Sequence, residues 1–361
     1  MAVRWVRFGG TSRDAGARVE APGAEAPGAA PASFDAPALL LAAASCKGDP
    51  APVLALLRDA DGTPPVPGAG STARLWEILA SVAAADLTAA RAVEPHLDAA
   101  AILAQAGAPW PSGTAWGVFA AESPDARLEG TDDDGVWRLD GDKPWCSLAA
   151  ELDHAVVTAH VPGGRRAFAV DLRQPGVAAH PAPWASRGLS RVPSGPLSFA
   201  GVPARPVGET DWYLRRDGFA WGGIGVAACW FGGAVGLFRT LERSARRREP
   251  DQLAQAWLGE ADRLLDSAAA VLVRAADAVD AGTAGWVEAH RARGHVASVC
   301  ARMLAICGEA MGPGPLAFDE EHARRAADLT VYIRQHHAAR DDAGLGRLVA
   351  ALPAGGAEGS W

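Results

Sequence analysis

The chain has 361 residues, 49% of them hydrophobic, and a formal net charge of −8. That length holds two or three domains, or one composite unit sharing a core, and the apolar content is ample to fill it. A mildly acidic chain without a basic stripe argues against nucleic acid as a partner, and the short run Arg246-Arg247-Arg248 reads as a solvated helix face.

The five cysteines, Cys46, Cys146, Cys229, Cys300 and Cys307, form no C-x-x-C pair. Neither a zinc site nor a disulfide framework is expected from them, and no metal site is expected elsewhere. An odd count without a secretory leader fits a reducing cytoplasm. No stretch is expected to reach the roughly 18 apolar residues that a membrane span needs.

Residues 1–35 are rich in Ala, Gly and Pro, and Ala21–Gly28 reads as a flexible linker. Helical pattern begins near Ala36 and recurs over Ala51–Asp59. After the loop Gly62–Gly68, Leu75, Ile78, Leu79 and Val82 fall at helical spacing. Asp86 can cap a further helix through Leu87, Ala90 and Val93. Pro95 either kinks that helix or starts another, which puts His96 near the break. His96 is then either a satisfied histidine at a helix end or one aimed into a cleft, where a near-neutral pKa serves acid–base work.

Pro109-Trp110-Pro111-Ser112-Gly113 is a strong break. From Thr114 the period changes to short strands over Trp116–Ala121, Val136–Leu139, Ala155–Ala159, Ala167–Asp171, Val177–His180 and Leu197–Phe199, punctuated by turns such as Pro162-Gly163-Gly164 and Pro175-Gly176. Such spacing predicts a small β-sandwich or barrel. After Val207-Gly208 the pattern is helical. Phe219–Arg243 is apolar nearly all round, hence buried, and its glycines let a neighbour approach closely. Asp251–Ala281, Arg291–Cys307 and a run from about Asp319 past Arg340 complete four long helices joined by short loops, the pattern of an antiparallel bundle. The expected architecture is α+β and multidomain. It has an N-terminal α-helical domain over 1–112 (1–35 poorly structured), a middle β domain over 113–208 and a C-terminal four-helix bundle over 209–361.

The stretch Leu139-Asp140-Gly141-Asp142-Lys143-Pro144-Trp145-Cys146-Ser147 lies between two β-like runs. Asp140-Gly141 is a turn signal, and Pro144 forces an extended residue ahead of it. Trp145, Cys146 and Ser147 put a flat aromatic beside a small residue and a hydroxyl. That grouping is either a core tryptophan next to a turn or a seat for a planar, polar-edged cofactor.

The stretch resembles the flavin-contacting strand of the acyl-CoA dehydrogenase superfamily, where a G-x-K-x-W-[IC]-[ST] segment follows an [FY]-x-x-[ST]-E-P segment. Phe119-Ala120-Ala121-Glu122-Ser123-Pro124 lies upstream here. The helical, β, four-helix order is also that superfamily's. The resemblance implies that Trp145 packs against the isoalloxazine, that Ser147 bonds its edge near N5, and that Phe119 and Ala121 contribute from the neighbouring strand. Arg247 would meet the cofactor's pyrophosphate, and Gly312 would lie in the turn that holds the adenine side across a subunit interface. The implied cofactor is FAD, with FMN or a weakly held flavin as the alternatives. Ala121 replaces the usual Ser or Thr, and Glu309–Gly314 keeps the glycines of the adenine turn but not its glutamine.

The resemblance also implies an oxidoreductase acting on an acyl-CoA, or a related small organic substrate, in a homo-oligomer (dimer or tetramer). The usual catalytic glutamate follows an R-x-x-D segment on the last bundle helix. Here Arg325-Ala326-Ala327-Asp328 is followed by Gln335-His336-His337, without a carboxylate. His336 is the candidate replacement, with His96 as a second. The other reading of His336-His337 is an exposed pair at a helix end. A two-component flavin-dependent monooxygenase of the same fold, or a catalytically silent paralogue acting as a binding subunit, are the alternative functions.

Overall fold

The computed structural model describes residues 4–9, 34–60, 62–181, 183–247, 249 and 251–351. The linker expected at Ala21–Gly28 lies outside them, as does Arg248. The chain forms two compact units. One takes the described residues within 34–66 and Thr88–Phe219; the other takes residues 4–9, Pro67–Leu87 and the described residues from Ala220 on. Each unit therefore draws helices from the N-terminal stretch.

In the first unit, α1 (Ala36–Cys46) and α2 (Ala51–Asp59) pair with each other. The Asp35 carboxylate caps α1 by accepting from the Ala38 N–H at 2.9 Å. Helix α3 (Thr72–Ala85) belongs to the second unit, and the next helix, α4 (Leu87–Gln105), belongs to the first unit from Thr88 on. The break expected at Pro95 is absent: α4 runs straight through it. Val93, Glu94, His96 and Leu97 are all buried, and that packing outweighs the roughly 3 kcal/mol a mid-helix proline costs.

The strands are β1 (Trp116–Phe119), β2 (Leu128–Asp133), β3 (Val136–Ser147), β4 (His154–Val161), β5 (Gly164–Asp171), β6 (Val177–Ala179), β7 (Ser194–Pro203) and β8 (Arg205–Val207). They form one mixed sheet in the order β6-β7-β3-β2-β4-β5-β8, with β1 parallel to β4. Two of these strands escape a hydrophobicity reading. β2 buries only Leu128 and Gly130 between polar residues, and β8 is a three-residue edge containing Pro206. Ala99, Ile102 and Leu103, at i, i+3 and i+4 on α4, pack with Trp116, Val156 and Tyr213 to form the core of this unit. Tyr213 lies on the short α5 (Trp212–Arg215).

The second unit holds α3, α6 (Asp217–Ala245) from Ala220 on, α7 (Gln252–Asp280), α8 (Trp286–Met311), α9 (Pro313–Phe318), α10 (Glu320–Tyr332) and α11 (Ala339–Ala350). The expectation that no segment is apolar enough to span a membrane needs correction. By length and mean hydropathy (1.5) α6 qualifies, but 78% of its apolar window is buried, so it is a core helix. The last helical run is not continuous past Arg340. It breaks at a 3-10 turn (Ile333–Gln335), and Ala338 takes φ +47. The break is local chemistry, for the Asp341 carboxylate accepts the His337 N–H at 3.0 Å and holds the chain out of helix there.

Candidate active site

Strand β3 carries two irregularities, and both shape the site. Asp140-Gly141 is not a turn; the strand continues through it, with a register shift against β7 between Leu139 and Gly141. Gly141 has φ +110, and a Cβ there would lie 2.3 Å from the Arg127 carbonyl, so the position takes only glycine. The second irregularity lies between Lys143 and Cys146. Lys143 pairs with Leu197 and Cys146 with Gly195, three steps on β3 against two on β7. This is a bulge of one residue. Pro144 has no N–H to lose from the ladder, and Trp145 takes φ +58.

The bulge decides which side chains face in. In a regular strand Lys143, Trp145 and Ser147 would share one face. Instead Lys143 and Cys146 both turn inward, each 1% exposed, and the Trp145 indole is thrown out, 60% exposed. A large ring held in solvent at a left-handed backbone angle is strained and uncovered at once. Burial pushes the Cys146 thiol up to about 12, which removes it as a nucleophile.

Ser147 ends the strand in a hydrogen-bond cluster that spacing alone does not reveal. Its Oγ lies 2.7 Å from Ser194 Oγ and accepts from Arg91 Nη2 at 3.2 Å. Arg91 in turn pairs with Glu94 one helical turn along α4 at 3.2 Å, and both side chains are nearly buried. The sequence signal was present but faint: two charges, i and i+3, in an otherwise Ala- and Leu-rich helix.

Inside the sheet, the Lys143 ammonium donates to Glu122 at 2.7 Å and to Thr158 at 3.0 Å. Arg165 (3.0 Å) and His160 (3.2 Å) also meet the Glu122 carboxylate. Partial burial would raise that carboxyl, but the hydrogen bonds from Lys143 and His160 and the Arg165 charge outweigh it and hold it below the usual range. This network ties the segment after β1 to β3. Phe119 itself is 3% exposed, so its ring belongs to the core and presents no face to a ligand, whereas Ala121 is exposed.

His96 is not aimed into a cleft. It is 3% exposed, its Nδ1 accepts the Trp116 N–H at 3.3 Å, and its ring meets Trp110 edge-on at 5.1 Å. Burial drives its pKa down to about 4, so it stays neutral near pH 7. Because α4 does not break at Pro95, His96 remains on a buried helix face.

In the second unit, His336 follows the 3-10 turn. Its Nδ1 accepts from the Ala338 N–H at 3.3 Å, and its Nε2 lies 3.7 Å from Asp341. Nε2 is enclosed and has no hydrogen-bond partner among the described residues. Desolvation lowers its pKa, with Asp341 opposing. Only His337 of the expected exposed pair is well exposed, the two side chains standing at 10% and 64%. Arg247 lines a cleft of about 320 Å³ at the end of α6, with Leu241, Ser244, Trp257 and Met311. Gly312 follows Met311 at the junction of α8 and α9, so these two residues come to one end of the unit.

No family model matches the chain, and no curated protein matches its sequence, but solved structures match its fold. A glutaryl-CoA dehydrogenase from Mycobacterium smegmatis, in complex with FADH2, is 15% identical with a TM-score of 0.70, over 88% of this chain and 90% of that one. Butyryl-CoA dehydrogenase from Megasphaera elsdenii is 18% identical with a TM-score of 0.69, over 77% and 82% of the two chains. KijD3, in complex with FMN and dTDP-3-amino-2,3,6-trideoxy-4-keto-3-methyl-D-glucose, is 18% identical with a TM-score of 0.69, over 88% and 87%.

Proposed function

The chain has the acyl-CoA dehydrogenase fold, and we propose that it is a flavin-dependent oxidoreductase acting on a small organic substrate. The observation that carries this reading is the Trp145 indole, pushed into solvent by a bulge and followed two residues later by a hydroxyl. A flat apolar ring beside a polar edge suits the isoalloxazine, which has the same division. Bound there, the flavin supplies the hydride and electron chemistry that side chains cannot. Trp145 would give it a face and Ser147 a polar contact at its edge. The guanidinium of Arg247 at the cleft of the second unit suits a cofactor phosphate. FAD and FMN, both seen in the fold neighbours, are the two forms to test.

The substrate is a CoA thioester or a nucleotide-linked sugar, the two classes named for those neighbours. No glutamate stands at Gln335-His336-His337. That absence favours, as a second reading, a monooxygenase that receives reduced flavin. In either reading we propose His336 as the acid–base group, its enclosed Nε2 beside Asp341 and without a hydrogen-bond partner among the described residues. Replacing it by glutamine should lower turnover about 10²-fold while leaving flavin affinity and melting temperature in place. An equal loss of melting temperature would assign the ring to the helix junction instead. A homo-oligomer is part of the proposal, supported by the apolar surface of α9, where Phe318 is 93% and Leu316 49% exposed. A cytoplasmic setting rests on cysteine content alone.

The first experiment is titration of the purified chain with FAD and FMN, followed by quenching of flavin fluorescence. Trp145→Ala should weaken binding about tenfold, since stacking a ring on an indole contributes about 1–3 kcal/mol. The same change should leave the melting point of the flavin-free chain within a degree or two, because the indole is mostly in water. A wild-type chain that binds neither flavin would sink the enzymatic reading and leave the silent paralogue. Anaerobic bleaching of bound flavin by acyl-CoA would select the dehydrogenase over the monooxygenase.

A further inference from the structure

We propose that the cleft between the C-terminal end of α7 and the N-terminal end of α8 is a second ligand site, one that takes a small organic anion with an apolar body. The cleft has a volume of about 430 Å³. That is the size of a small-molecule site and more than a bare ion fills. The inference does not depend on the flavin reading, because the site lies apart from the Arg247 cleft. Trp257, which lines that cleft, and Arg274, which lines this one, stand about 25 Å apart along α7 at the 1.5 Å rise of a helix.

The sequence builds the cleft by leaving out bulk. Helix α7 gives it Val271, Arg274, Ala275 and Ala278, at i, i+3, i+4 and i+7, the spacing of one helix face. Two of the four are alanines, so the seam toward α8 is not filled. Helix α8 faces them with Val287 and, one turn on, Arg291. The two valines and two alanines make the floor apolar.

The polar groups of the lining divide into committed and uncommitted ones. The Thr283 hydroxyl donates to the Ala278 carbonyl at 3.2 Å. The Glu288 carboxylate accepts the Gly285 N–H at 3.0 Å and makes no ion pair with Arg291, although the two are i and i+3 on α8. Neither Arg274 nor Arg291 has a hydrogen bond or an ion pair among the described residues. The lining therefore holds two cations against one carboxylate, and both guanidiniums keep their donors for a ligand. A guanidinium is a planar fork that meets a carboxylate or a phosphate two bonds at a time. An anion with an apolar body satisfies the arginines and the floor together. A bare anion or a neutral apolar molecule satisfies only one of them.

The test is calorimetric titration of the full chain with phenyl phosphate, benzoate, inorganic phosphate and benzyl alcohol. At least one of the two aromatic anions should bind about tenfold more tightly than inorganic phosphate or benzyl alcohol. Whichever it is supports the site and says which acid it takes. Arg274→Gln and Arg291→Gln should each weaken that binding about tenfold, the loss of one charge-assisted contact. Both should leave the melting temperature within a degree or two, since neither side chain has a partner to lose. Ala278→Leu, which fills the floor, should abolish binding and covers the case in which an arginine variant does not fold. Failure of both aromatic anions to bind at millimolar concentration would overturn the inference. So would an affinity unchanged in both arginine variants, which would put the probe elsewhere, such as at Arg247. Equal affinity for inorganic phosphate or benzyl alcohol would overturn the ligand class.

Discussion

Gly232→Ala should destabilise the second unit by about 3 kcal/mol, at the upper end of what overpacking does. A Cβ at this position would lie 2.1 Å from the Ala80 carbonyl oxygen and 2.8 Å from the Ala80 carbonyl carbon and Cα. All three are backbone atoms, so no rotamer change relieves the clash. Helices α3 and α6 would have to separate, which loosens Trp76, essentially buried against Gly225 of α6. At roughly 2–4 °C per kcal/mol for a unit of this size, the melting point should fall by about 6–12 °C. The same substitution at Gly259 provides the contrast. That glycine lies inside α7, and no described residue lies within 4 Å of where a Cβ would stand, so Gly259→Ala should stabilise by up to about 1 kcal/mol. Equal melting points for the two variants would mean that α3 and α6 do not approach as described.

The second large effect is acid sensitivity at His96. Its folded pKa is about 4 against the ordinary 6.5 of a histidine, so below 6.5 the unfolded chain binds a proton that the folded chain refuses. The stability of the neutral ring is fully present above about pH 6.5 and is lost as pH falls toward about 4. The difference amounts to about 3 kcal/mol, since each tenfold change in proton affinity is about 1.4 kcal/mol. His154, His295, His322 and His336 are also lowered by burial and add to the slope in the same range, so a single curve does not isolate His96. Comparison with His96→Gln does. The variant should be less stable than the parent at pH 7.5, having lost a fitted acceptor for the Trp116 N–H, and the gap should close by pH 4.5. Parallel curves for the two proteins would mean that His96 titrates as an exposed histidine does.

The two effects differ in how far they could be read from the chain. The glycines of α6 signal close approach, but nothing local says that Gly232 meets a carbonyl while Gly223 meets only the Arg293 side chain. His96 beside Pro95 looks like a residue at a helix end, and only the packing of α4 against the sheet makes it a buried acceptor. The same division runs through the site. Trp145 and Ser147 are legible as a ring and a hydroxyl two residues apart. That the ring is exposed depends on a bulge counted against β7, about fifty residues further on. Arg91 leaves only a faint signal, paired with Glu94 at i and i+3, and Ser194 leaves none, because their meaning is their shared contact with Ser147.

By itself the sequence determined the order of helices, strands and helices, the first three long C-terminal helices, and the strand that carries Trp145 and Ser147. Those follow from period, proline and glycine, which act over a few residues. Tertiary structure alone decided that α4 ignores Pro95, that Phe119 is core, and that Ser147 is clamped by Arg91 and Ser194. Each of these is set by which distant backbone or side chain arrives at a given face, and a local pattern of hydrophobicity carries no information about arrivals.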